Sequence, residues 1–77
     1  MCLFDSVMKK LEAELEVNSL GSHRTYKFIL QELKDPERAK EFMILKLGFS
    51  KWEVNKIIYN INYNKKIYQQ QLNIGGH

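Results

Sequence analysis

The stretch from Phe42 to Ile57 constrains this chain more than any other. An apolar run, Phe42-Met43-Ile44-Leu45, leads through Leu47 to Gly48, Phe49 and Ser50, with Glu53 three residues beyond the serine. A glycine just past an apolar helical run suits the left-handed C′ position that closes a helix. Ser followed at +3 by Glu is a capping box, in which two otherwise orphaned N–H groups are satisfied reciprocally, and Phe49 and Val54 occupy the N′ and N4 positions of a hydrophobic staple. Two helices joined by a tight turn are therefore written into these residues.

The rest of the chain reads the same way. Phe4, Val7, Met8, Leu11 and Leu15 recur at helical spacing and predict a first helix over residues 3–17. Asn18 to His23, containing Gly21 and two serines, forms a loop. Tyr26, Ile29, Leu30 and Leu33 give a second helix over 22–33. Asp35-Pro36-Glu37 is a helix start: an acceptor at N-cap, a proline whose missing N–H costs nothing at N1, and an acid favoured by the helix dipole. The third helix is expected over 36–47, and because its apolar run covers every side, it is expected to sit centrally.

The fourth helix, over about 51–73, carries Val54, Ile57, Ile58 and Ile61 on one stripe, continued by Tyr68 and Leu72. At 1.5 Å per residue it is roughly 35 Å long, more than the other helices can cover, so its far end should project. Over 59–74 a hairpin competes, because Tyr59, Ile61 and Tyr63 alternate with Asn60, Asn62 and Asn64 as a strand would. Helix is favoured, since cap and period agree and no other segment offers a strand partner. The expected fold class is all-α: a small compact bundle of about four helices forming a single domain over residues 1–77, with a helix-turn-helix-like junction at Gly48-Phe49-Ser50.

A chain of 77 residues supports one domain at most, and one this small buries only about 60% of the surface its unfolded form exposes, which leaves little room for a deep cleft. Cys2 is the only cysteine, so no internal disulfide staples the fold, and a cytoplasmic setting is expected. Residues 1–15 lack a basic start followed by an apolar run, so no secretory leader is expected there. No apolar run is long enough for a membrane span. His23, His77 and Cys2 lack the paired spacing of a zinc site, and Gly21 and Gly48 stand alone rather than in a phosphate-cradling loop. A non-catalytic binding protein is expected, with no cofactor, no metal and no small-molecule substrate.

Charge is uneven. The net charge is +3, yet the first twenty residues set Lys9 and Lys10 against Asp5, Glu12, Glu14 and Glu16, whereas the last helix sets Lys51, Lys56, Lys65 and Lys66 against Glu53 alone. The acidic first helix is read as a solvated face. The basic last helix fits an anionic partner. Asn, Ile, Lys and Tyr crowd residues 54–74, the bias of an AT-rich coding sequence such as that of a low-GC bacterium or its phages.

Two binding surfaces are legible, and they overlap; DNA binding is the leading expectation and protein binding the alternative. Met43, Leu47, Phe49, Val54 and Ile57 fall where a helix-turn-helix needs its buried apolar positions, with Gly48 at the turn, and the segment from Lys40 to Tyr59 resembles the bacterial helix-turn-helix family over about 20 residues. Ile44 departs from the pattern, standing where the family prefers Ala or Gly. The resemblance implies DNA binding, with Ser50, Lys51, Asn55, Lys56 and Tyr59 facing bases and phosphates, in a regulator that commonly pairs to match palindromic half-sites, hence a homodimer. The second surface lies opposite the Val54 stripe, where Trp52, Lys56, Tyr59, Tyr63 and Ile67 share a face. Trp and Tyr dominate interface hot spots, so this face suits a host protein, as in a phage-encoded inhibitor or adaptor. A bland alternative makes the fourth helix the middle of the bundle, with the first helix covering that face.

Overall fold

The computed structural model describes residues 3–75, with side chains through residue 65. Four helices follow one another: α1 (Leu3–Val17), α2 (Ser22–Leu33), α3 (Pro36–Leu45) and α4 (Lys51–Gly75). No strand occurs among the described residues, and the segment weighed as a hairpin is continuous helix to Gly75.

The helix ends follow the sequence chemistry. Asp35 is extended, and its carboxylate accepts from the Glu37 N–H at 3.0 Å, with Pro36 beginning α3. Gly48 adopts φ +78°, the left-handed region that a side chain rarely tolerates. The space around it is open, so its backbone angle, rather than crowding, calls for glycine. The Phe49 N–H reaches back to the Met43 carbonyl at 3.1 Å across this turn. That unwinding ends α3 at Leu45, two residues before the expected Leu47, which lies in the turn. α2 stops differently, at Lys34, whose left-handed φ of 58° lets its N–H bond the Leu30 carbonyl.

One core joins all four helices. Phe4, Val7 and Leu11 come from α1; Tyr26, Ile29 and Leu33 from α2; Ala39, Phe42 and Met43 from α3; Val54 and Ile57 from α4. Phe4 meets Phe42 edge to face, with ring centroids 5.3 Å apart, an arrangement worth about 0.5–1.5 kcal/mol beyond the area it buries. Thr25, the one buried polar residue among those described, donates its hydroxyl to the Gly21 carbonyl at 2.9 Å. Burial pushes the Tyr26 phenol up from its usual range, and the nearby Glu37 carboxylate adds to the shift.

Two expectations about the core change. The central helix is α2, which packs against α1, α3 and α4, most extensively against α3. The apolar run of α3 is split: Phe42 and Met43 are fully buried, Ile44 is half-buried and Leu45 is exposed. Leu15, expected on the inner face of α1, is also exposed. The acidic side chains of α1 do face solvent, with Glu14 half-buried and accepting from the Asn18 amide at 3.2 Å. Two ion pairs tie α1 to its neighbours, Lys10 to Glu32 at 3.0 Å and Lys46 to Asp5 at 3.5 Å. Such exposed pairs contribute little.

On α4, Val54 and Ile57 are buried, and Ile58 and Ile61 pack partly against the core. Residues 62–65 are all exposed, so the helix runs on past the bundle, and the molecule is 51 Å long against 28 and 20 Å across.

Candidate functional site

The start of α4 is fixed by its capping box. The Ser50 N–H donates to Glu53 Oε1 at 2.9 Å, and the Glu53 N–H donates to Ser50 Oγ at 3.0 Å. The bond from the Ser50 backbone, then that involving its side chain, holds the Glu53 carboxyl below the usual carboxylate range, so the acid is charged and occupied at its own helix terminus. Phe49 and Val54 both join the core on either side of this box. The rotational phase of α4 is thereby set, with Val54 and Ile57 turned inward.

That phase carries the opposite side chains outward. Trp52 is 68% exposed, Tyr59 68% and Tyr63 52%. With Lys56 they stand at i, i+4, i+7 and i+11, one stripe down the helix, about 17 Å long at 1.5 Å per residue. The stripe is internally ordered. The Lys56 ammonium lies 5.0 Å from the centroid of the Trp52 ring, in cation–π range. Tyr59 and Tyr63 stack with centroids 6.2 Å apart and planes 15° from parallel. α1 does not cover these rings, which overturns the reading of α4 as a helix enclosed on both sides. Ile67, expected to extend the stripe, lies beyond the residues whose side chains are described.

Beside the stripe, a shallow hollow separates α4 from the first turn of α2. It is lined by Ser22, His23, Phe49, Trp52, Lys56 and Asn60, with Glu53 and Ile57 also contributing. Gly21, the N-cap of α2, offers no side chain to cap that turn. Asn60 could have been found in the sequence, four residues after Lys56 on the same side. Ser22 and His23 could not, because only the packing of α2 on α4 brings them there.

The residues expected to contact DNA are also placed outward. Ser50, Lys51, Asn55, Lys56 and Tyr59 are all exposed, while Met43, Val54 and Ile57 are buried and Leu47 and Phe49 half-buried beneath them. The surroundings of Lys51 are mixed in charge: it shares a hollow with Glu37, Lys40, Glu41 and Ile44 of α3.

Among the described residues, no three His, Cys, Asp or Glu side chains gather as a metal site would require, and no helix is long and apolar enough to cross a membrane. Comparison with protein-family models, curated proteins and solved structures found no match.

Proposed function

We propose that this protein is a non-catalytic recognition module that binds a partner protein through the outer face of α4, acting as an inhibitor or adaptor. The observation that carries this reading is the exposure of Trp52, Tyr59 and Tyr63 on a single stripe. Exposed apolar residues scattered singly need no explanation, but contiguous aromatic ones mark interaction surfaces. Trp and Tyr bring large contact area with few rotatable bonds, so little entropy is lost on docking. The cap, the staple and the buried Val54 and Ile57 hold the stripe ready before any partner arrives, which lowers the cost of binding.

DNA binding by the junction of α3 and α4 is the second reading, favoured by the exposure of Ser50, Lys51, Asn55, Lys56 and Tyr59 above a buried apolar set. It would make the chain a bacterial or phage regulator. Against it stand Glu37 and Glu41 around Lys51, carboxylates on ground that a duplex would cover with phosphates.

A pull-down from a low-GC bacterial lysate, with and without nuclease, compares wild type with a Trp52→Ala, Tyr59→Ala double variant. The expected result is one host protein retained after nuclease and lost in the variant. Recovery of DNA alone, abolished by nuclease, would replace this reading with the regulator.

A further inference from the structure

Resting on the reading of the α4 stripe as a protein-binding face, we infer that the partner presents an acidic amphipathic helix, which lies along α4 with a carboxylate toward Lys56 and an apolar side chain in the hollow beside Trp52. Charge is the first ground. α4 carries four lysines in its sequence against one acid, and that acid, Glu53, already accepts from Ser50. The ion pairs found among the described residues join Lys10 to Glu32, Lys46 to Asp5 and Arg38 to Asp35. None of them involves Lys56, whereas Lys51 stands beside Glu37 and Glu41. Lys56 is exposed, and its ammonium lies 5.0 Å from the centroid of the Trp52 ring, so one carboxylate placed there would meet the cation while a neighbouring apolar group met the uncovered part of the indole.

Shape is the second ground. The stripe at positions 52, 56, 59 and 63 has the spacing by which one helix packs on another, with anchors recurring every three or four residues. The hollow between Ser22, His23, Phe49, Trp52 and Asn60 is the natural seat for one such anchor. The uncapped first turn of α2 at its edge adds a favourable field for a negatively charged neighbour.

A second copy of this chain fits poorly. An antiparallel pairing of two α4 helices centred between Tyr59 and Tyr63 sets position 56 of one against position 66 of the other. Both are lysines, and like charges across a helix pair disfavour it. A duplex fits poorly too, for the carboxylates around Lys51 interrupt a continuous basic track.

The test is selection from a displayed library of 18-residue helical peptides, with leucine fixed at i, i+4, i+7 and i+11 and Asp, Glu, Lys or Gln allowed elsewhere. Against wild type, enriched clones should be net acidic, bind at least ten times more tightly than versions with each acid replaced by lysine, and lose affinity as salt rises. The emission of Trp52, the only tryptophan, should shift on binding. A Lys56→Glu variant, which keeps its fold because the residue is exposed, should enrich basic clones instead. No charge preference among the enriched clones, or no enrichment, overturns the inference. If the clones lack charge preference yet lose binding in a Tyr59→Ala, Tyr63→Ala variant, the stripe remains the binding face and only the acidic partner falls. If acidic clones bind that variant undiminished, or a duplex oligonucleotide outcompetes them at the stripe, the stripe as a protein-binding face falls as well.

Discussion

The two faces of α4 are both apolar, and their fates are opposite. Val54 and Ile57 are 0% and 5% exposed, whereas Trp52 and Tyr59, each two positions away in sequence, are 68% exposed. The inner face is made of β-branched aliphatic residues, which fill a core without needing a polar partner. Its outer counterpart is built of amphipathic aromatics that tolerate water while keeping large apolar faces. Residue type thus separates what holds the fold from what is left for binding, even where hydropathy alone does not.

Substitutions can break that contrast. Ile57→Ala should cost about 2–5 kcal/mol, through lost transfer energy and the cavity left behind, measured by urea unfolding; a negligible loss would mean that the inner face is not core. Ser50→Ala removes the side-chain acceptor of the capping box and should cost about 1 kcal/mol, again by urea midpoint. Glu53 sharpens the same junction through pH. Its lowered pKa contributes stability that is present above the ordinary carboxyl value of 4.5 and lost as pH falls through the folded value. The difference in Tm between wild type and Glu53→Gln should therefore be largest near neutral pH and shrink toward pH 3. The smallest effect belongs to the outer face. Trp52→Ala and Tyr59→Ala should each change stability by no more than about 0.5 kcal/mol, the scale of an exposed helix pair, while abolishing partner capture.

Much of this was legible in the sequence because it is local. Asp35-Pro36, Gly48, and Ser50 with Glu53 each act within a few residues, and the structure has each where its chemistry requires. Leu47 keeps the apolar spacing and so extends the expected third helix by two residues, although the left-handed Gly48 and the Phe49 to Met43 bond have already turned the backbone. The identity of the central helix was misread for a related reason. Four consecutive apolar residues in α3 suggest burial on all sides, yet Leu45 faces out, whereas α2 buries Thr25, Tyr26, Ile29 and Leu33 with no continuous apolar run of that length. Ser22 and His23 beside Trp52 were beyond reach, since their position depends on how α2 crosses α4. No local rule encodes that crossing.

The position of α2 as the hub has a kinetic consequence. It follows α1, precedes α3 and is separated from α4 only by that short helix, so most helix pairings that build the core close a short stretch of chain, the contact of Phe4 with Phe42 being the long-range exception. Folds dominated by such nearby pairings lose little entropy before contacts begin to stabilise them, and they reach the native state in microseconds to milliseconds. Refolding here should be similarly fast, and the aromatic stripe, outside every one of those pairings, should leave the rate unchanged when it is altered.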